Sequence, residues 1–514
     1  MQILTNRNIL FRIICFAFFA IALVCIGRYV NYISTILPFS YDWEPTDGDH
    51  LNFAHRLALG LPIYLPLNGG QALSVYNPLY HSLVALFGGQ YASLSFARSI
   101  SFIFWLLIPL AVFSYHIKRW GYFYAIVAAI IVWLPAEPGM LIDVVHVTPN
   151  STMPFLFLSS LLYAQSCSES DSDSWWNWFM IGALAALCYL AKQQGLIAIP
   201  SIMAFLLIRR TCIRNILFVI LGFMFVFIIS TTYLEFMNSG QYLRMTFFDL
   251  NKIIHSSYKF ALYRLIYFFI HNFAFTLCVL LALFSMRSQF RKLSIWHVSV
   301  ILHIPFLLKI LGNAGGGPTY FLTLWITMVL ISVDFIKNNE VKLSSLKIIP
   351  NFITQIKSDY LTLFSKILLF CLFINISIGT ISIHREFNSI TLPTPKLAAI
   401  MKDYYHSVKC LLSSKQDAKV LTNRNIGMLV SINANVENEG STTFQYAWVS
   451  KGVFNRNLIL KSIREKKYDL ITSGWQDYPE DVKREIEANY KVTLINEVNL
   501  LCGKVGLVKT YTPK

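Results

Sequence analysis

The chain has 514 residues, of which 55% are hydrophobic, 15% aromatic and only 14% charged, with a formal net charge of +16. Soluble proteins carry about 25% charged residues, and here the charges are also uneven: 38 lie in residues 1–384 and 32 in 385–514. That distribution excludes a single soluble globule, a disordered chain and a disulfide scaffold, and predicts a large membrane part, 1–384, followed by one soluble domain, 385–514.

Apolar runs long enough to cross a bilayer as helices occur near 10–35, 91–117, 120–136, 151–167, 176–191, 195–209, 214–235, 260–286, 294–311, 318–336 and 361–382, about eleven in all. The first resembles a signal peptide, but no small-residue cleavage pattern follows it, so it reads as a retained helix. The positive residues fall in short clusters between runs: Lys118–Arg119, Arg209–Arg210 with Arg214, Arg287 with Arg291–Lys292, and Lys337, Lys342, Lys347 and Lys357. Basic residues stay on the cytoplasmic side of membrane proteins. The charge therefore reads as topology rather than as a nucleic-acid surface. It places the N-terminus in the cytoplasm and the C-terminal domain outside, as in a bacterial inner-membrane protein.

On that topology the outer face holds a long first loop, 36–90, and shorter connections at 137–150, at Lys192–Gln194, at 236–259 and at 312–317. The tail alternates strand-like runs (Lys419–Thr422, Tyr468–Thr472, Val492–Ile495, Val505–Lys509) with helical ones (Leu458–Lys467, Pro479–Tyr490), the pattern of a small α/β domain. Six of the nine cysteines lie in or beside apolar runs and read as small hydrophobes. Cys410 and Cys502 are a possible external pair. No CxxC or HExxH spacing is present.

The chemistry gathers in the first loop. Tyr41-Asp42-Trp43-Glu44-Pro45-Thr46-Asp47-Gly48-Asp49-His50 places four carboxylates within eight residues. A sugar transferase needs a carboxylate to take the proton of an acceptor hydroxyl, and carboxylates also hold divalent metals against phosphate. The competing reading is structural: Asp49 as the cap of a helix over Leu51–Leu59, with Asp42 and Glu44 solvated. Elsewhere, Asp143 and His146 stand at i, i+3 spacing, suited to a metal or to sugar hydroxyls. Lys192 is suited to pair with a phosphate or to snorkel from a helix end. Arg244, Lys252 and His255 form a weaker basic group.

The loop continues as Ala54-His55-Arg56-Leu57-Ala58-Leu59-Gly60-Leu61-Pro62-Ile63-Tyr64, and then as Tyr76-Asn77-Pro78-Leu79-Tyr80. This resembles the first external loop of the GT-C superfamily of polyprenyl-phosphate-sugar-dependent glycosyltransferases, with its A-x-x-L-x-x-G-x-x-x-Y helix and Y-x-P-L-Y segment. The likeness is to bacterial relatives of the protein O-mannosyltransferases and of the lipid A aminoarabinose transferase. Ala191-Lys192-Gln193-Gln194-Gly195 resembles the family's K-Q-x-G turn, Gly312 to Tyr320 its Gly-rich outer turn, and Lys467-Tyr468-Asp469-Leu470-Ile471 a strand of its tail domain. Many relatives have a Glu-Gly or Asp-Glu pair where this chain reads Asp47-Gly48-Asp49.

The resemblance implies a mainly α, polytopic helical bundle with a small external α/β domain. It implies inverting transfer of a sugar from a polyprenyl-phosphate donor to an extracytoplasmic glycan, lipid or protein. Asp47, then Asp49, with Glu44 beside them, would supply the base. Lys192, Gln193 and Arg244 would hold the donor phosphate, and His50, Tyr76, Tyr80, Asp143, His146 and Tyr320 the sugar or acceptor. A divalent metal, if used, has Asp47, Asp49 and His146 as candidate ligands. The rival reading is a transporter or lipid-linked-sugar flippase, which would keep its ionisable residues near mid-bilayer.

Overall fold

The computed structural model describes residues 2–65, 74, 76–133, 140, 143–170, 172–249, 257–286, 290–312, 317–345, 374, 377, 392–413, 415, 418–422, 426–432, 434–436, 456–473, 478–501 and 504–514. The expected span at 361–382, apart from residues 374 and 377, lies outside them, as do Asn313–Gly316 of the Gly-rich turn, Lys252, His255 and Cys502.

The apolar runs become helices close to their expected places, α1 (Gln2–Ile36), α4 (Leu94–Trp120), α5 (Tyr122–Trp133), α6 (Thr152–Glu169), α7 (Trp175–Ala191), α8 (Ala198–Arg209), α9 (Ile213–Met237), α10 (Tyr258–His271), α11 (Phe273–Ser285), α12 (Ile295–Ile310) and α13 (Leu322–Ser345), while the first loop itself holds α2 (Pro45–Ala58) and α3 (Leu79–Gly88). Among the described residues, Phe19–Ile36, α4, α9 and Pro318–Asn338 are long and apolar enough to cross a membrane. Helices this apolar, with many large hydrophobic side chains left exposed on α9 and α10, make the chain an integral membrane protein.

The single span expected over 260–286 is instead two helices, α10 and α11, meeting at 92°. Asn272 sits at the break. Its side chain donates to the Phe268 carbonyl at 2.9 Å, which also accepts from the Asn272 amide at 3.0 Å. The bent pair counts as at most one span, and several other apolar helices are shorter, so the described residues do not confirm the count of about eleven spans.

Helix α7 lies tightly against α9, where two glycines let the backbones meet. A β-carbon at Gly222 would fall 1.9 Å from the Phe179 carbonyl oxygen, and one at Gly182 would fall 1.9 Å from that of Val219. Between helices in lipid, where burial of apolar surface gives little drive, such close approach supplies the packing contacts.

The tail forms a five-stranded mixed sheet of order β2-β1-β3-β5-β4. Here β1 is Lys419–Leu421, β2 Asn435–Val436, β3 Leu470–Ser473, β4 Tyr490–Leu501 and β5 Lys504–Pro513. β1 runs parallel to β2 and β3, and β5 pairs antiparallel with β3 and β4. Helices α14 (Pro395–Leu412), α15 (Ile426–Ser431), α16 (Arg456–Arg464) and α17 (Glu480–Asn489) accompany the sheet. The two C-terminal strands are longer than the expected Val492–Ile495 and Val505–Lys509, because they continue as one paired hairpin.

The tail packs directly on the first loop. Asp42 accepts from the amides of Gly427 and Met428 at 3.1 and 3.2 Å, Asn52 donates to the Val436 carbonyl at 3.4 Å, and Gly48 lies against Gly427. Phe53 and Tyr64 of the loop share a buried apolar cluster with Leu421, Ile471 and Tyr511 of the sheet.

Replacing Gly222 with Leu is expected to cost about 1–3 kcal/mol by overpacking. Thermal unfolding of the detergent-solubilised protein reads this as a lowered midpoint, while Gly27→Ala, where a β-carbon meets nothing within 4 Å, leaves the midpoint unchanged.

Candidate active site

The acidic stretch is first of all a helix start. Glu44 is the N-cap of α2, its Oε2 accepting from the Thr46 amide at 2.8 Å and from the Thr46 hydroxyl. Asp47, at the third helical position, reaches back to the Glu44 amide at 3.4 Å and completes a capping box, with Pro45 preset for the first turn. The cap is therefore Glu44 rather than Asp49, and the helix begins at Pro45 rather than Leu51.

Asp47 is fully buried, and its principal partner is Arg98 of α4, which is also fully buried, at 2.5 Å. The same guanidinium donates to the carbonyls of Tyr41 at 2.9 Å, Ile36 at 3.2 Å and Phe39. The other carboxylate oxygen accepts from the Val147 amide at 2.9 Å and lies 3.4 Å from His146 Nδ1. Burial alone would raise the Asp47 pKa. The charges of Arg98 and His146 outweigh it and hold the carboxyl well below the usual range. Burial would likewise lower His146, but the Asp47 charge overcomes it and the imidazole is raised. Its Nε2 faces the Tyr32 hydroxyl at 3.3 Å.

In front of this buried pair opens a cavity of about 220 Å³, lined by Glu44, Thr46, His50, Tyr76, Asp143, His146, Thr148, Pro149, Asn150, Lys192, Gly317, Thr319 and Tyr320. Lys192 Nζ donates to Asn150 Oδ1 at 2.7 Å and stands 4.7 Å from the centre of the Tyr320 ring. Burial lowers its pKa to about 8, with Asp143 opposing. His50 Nδ1 meets His81 Nε2 at 2.7 Å. Burial pushes His50 down to about 3 and His81 well down, so at neutral pH both rings are neutral, one donating and the other accepting.

Seven of the sequence-selected residues thus line one cavity: Glu44, His50, Tyr76, Asp143, His146, Lys192 and Tyr320. Asp47 stands one layer behind its wall. Asp49 is buried on α2 outside the lining, and Gln193 and Arg244 also lie outside it. Tyr80 is buried, donating to the Ala97 carbonyl at 2.8 Å and accepting from Ser101 at 2.9 Å, a contact that fixes α3 to α4. Arg98 and Asn150 were not singled out from the sequence. An arginine inside an apolar run was the available signal for Arg98.

Among the described residues no group of three or more His, Cys, Asp or Glu side chains is placed to hold a metal ion. The Asp47 oxygens are taken by Arg98 and the Val147 amide, so Asp47, Asp49 and His146 do not fit a metal centre.

The helical bundle with its appended sheet is similar in fold to solved structures of two other proteins, the likeness the sequence led us to expect. Along 97% of both chains it is similar, at 12% identity, to ArnT from Cupriavidus metallidurans, with a TM-score of 0.61 to the apo structure and 0.59 to the structure bound to undecaprenyl phosphate. It also resembles the archaeal oligosaccharyltransferase AglB from Archaeoglobus fulgidus in complex with an inhibitory peptide and a dolichol-phosphate. There the TM-score is 0.53 at 11% identity, over 89% of this chain and 69% of that one. No family model and no curated protein matches the sequence.

Removing one partner of a buried ion pair costs about 3–5 kcal/mol. Arg98→Met is expected to lose stability on that scale by chemical denaturation, and adding Asp47→Asn recovers part of the loss.

Proposed function

We propose that this protein is an integral membrane glycosyltransferase that moves a sugar from a polyprenyl-phosphate donor to an acceptor hydroxyl outside the cytoplasm, in a bacterial inner membrane. The observation that carries this reading is the cavity itself: a carboxylate, an imidazole and a lysine whose pKa burial lowers to about 8 face one space at one end of a GT-C bundle. Arg119, Arg209, Arg210 and Arg214 lie at the other ends of the helices that reach it, and the positive-inside rule then assigns the cavity to the outer face. ArnT with undecaprenyl phosphate and AglB with dolichol-phosphate support a lipid-phosphate carrier.

Glu44 takes the base role rather than Asp47. A carboxylate held far below its normal pKa, with both oxygens occupied, is a weak proton acceptor. Glu44 lines the cavity, and the hydrogen bonds that cap the helix engage only one of its oxygens. In this scheme the acceptor oxygen attacks the anomeric carbon and its proton passes to Glu44. The bond from that carbon to the phosphate oxygen breaks, and the electron pair leaves with the polyprenyl phosphate. A single displacement inverts the centre. Lys192, held by Asn150 and Tyr320, offsets the charge on the departing phosphate. Asp47 acts through His146, favouring its protonated form and orienting it beside the reacting groups. Asp143, His50 and Tyr76 supply hydrogen bonds and a ring face for the sugar.

Purified protein given a labelled polyprenyl-phosphate sugar is expected to release free polyprenyl phosphate and label the acceptor. Glu44→Gln should lower turnover by about 100-fold or more, the scale of general-base catalysis. Full turnover by Glu44→Gln contradicts the base assignment, and lipid movement across vesicles without sugar transfer contradicts the enzyme reading.

The Lys192 cation, with its pKa near 8, is complete below that pH and lost above it. Donor kcat/KM is therefore expected to be flat on the acid side of about 8 and to fall above it. Lys192→Arg should move that alkaline limb upward, and Lys192→Met should lose about 100-fold throughout.

A further inference from the structure

Helices α6 and α7 run away from the cavity for about 25 Å, at 1.5 Å per residue. At their far ends lies a second pocket, of about 340 Å³, lined by Arg209, Arg210, Thr211, Asn215, Asp173 and Trp178 among others. We propose that this pocket is an anion site that takes a phosphate group, at the membrane surface opposite the reaction.

The charge pattern is the first argument. Arg119 is paired with Glu169, and Arg214 with Asp173 at 3.5 Å, in the same region. Arg209 and Arg210, which line the pocket, form neither an ion pair nor a hydrogen bond through their side chains among the described residues, and the Nε of Arg209 is buried without a partner. Arg209 lies over the Phe205 ring and feels the Glu169 charge, and Arg210 is exposed; against these two guanidinium groups the pocket holds one carboxylate, Asp173, already paired with Arg214. The balance is positive, and a planar guanidinium fork matches phosphate oxygens.

The second argument is independent of charge. Asn215, only 6% exposed and in the first turn of α9, lines the same pocket with its side-chain oxygen unpartnered. A buried amide with an unmet hydrogen-bonding end costs about 1–3 kcal/mol unless a ligand meets it. Rotating the amide by half a turn presents its NH2 group instead, so the residue can serve a phosphate ester as donor. The first amides of α9 add their positive end.

The surroundings suit a phosphate carried on a lipid. Trp175 and Trp176, each about half exposed, are of the type that marks the interfacial layer. Leu207, Ile213, Leu217 and Leu221 on the flanking helices expose apolar side chains. Basic pockets between membrane helices hold anionic headgroups in this way. Phosphate as an anion is the shared chemistry; whether it arrives on a lipid or free in solution is decided by the probe.

The test uses the full chain in detergent, with native mass spectrometry counting retained lipid and thermal unfolding as a second readout. Phosphatidylglycerol, phosphatidylcholine and inorganic phosphate are the probes. The wild-type chain is expected to retain one phosphatidylglycerol and to discriminate against phosphatidylcholine. Arg209→Gln with Arg210→Gln, and separately Asn215→Leu, should weaken that binding at least tenfold, and Arg209→Lys with Arg210→Lys should keep most of it. Lys118→Gln, which removes one exposed charge from the same surface outside the pocket, should change nothing. Stabilisation by inorganic phosphate alone, lost in the same variants, upholds the site with a soluble ligand. Equal phosphatidylglycerol binding by wild type and the double Gln variant overturns the proposal. So does an equal loss in Lys118→Gln, since the attraction would then be diffuse surface charge.

Discussion

The contact on which the rest depends is the 2.5 Å ion pair between Arg98 and Asp47, buried where the first long helix ends. A guanidinium cannot leave water cheaply, and here it is repaid by one carboxylate and three backbone carbonyls. Those partners come from the end of α1, from the link after it and from the start of α2, so one side chain on α4 fixes where the loop leaves the membrane. The other oxygen of Asp47 reaches the Val147 amide and His146, which places the connection before α6 against the same loop. The cavity lies on the open side of that knot.

Fixed in this way, the cavity has one wall from each of four connections. The first loop brings Glu44 and His50, the link before α6 brings Asp143, His146 and Asn150, the turn after α7 brings Lys192, and the turn before α13 brings Thr319 and Tyr320. The tail closes over the back, with Asp42 bound to two amides of α15. Polar groups that are individually costly to bury thus support one another, and what remains facing the cavity is a lysine with a lowered pKa, a carboxylate with one oxygen engaged and an imidazole whose pKa Asp47 raises.

Much of this was legible in the sequence. The apolar runs located the helices because burial in lipid demands length and composition that can be counted. The motifs of the first loop and of the other outer connections pointed to seven residues that share the cavity, three of them in the first loop. The ranking of the carboxylates was not legible. Each residue turns about 100° around a helix axis, so Glu44, Asp47 and Asp49 point in different directions once they sit at a helix start, and proximity in sequence says nothing about which one faces the space. Arg98 escaped attention for a related reason: near the beginning of an apolar run it reads as a flanking charge, and only the folded loop shows that it is enclosed. The break at Asn272 joins two apolar helices, so hydropathy reads them as one run.

A structure of the full chain with polyprenyl phosphate bound would test the central claim most directly. The account predicts the phosphate in the 220 Å³ cavity, within hydrogen-bonding distance of Lys192 and beside Tyr320. A phosphate bound away from Lys192, with the cavity left to solvent, would contradict it.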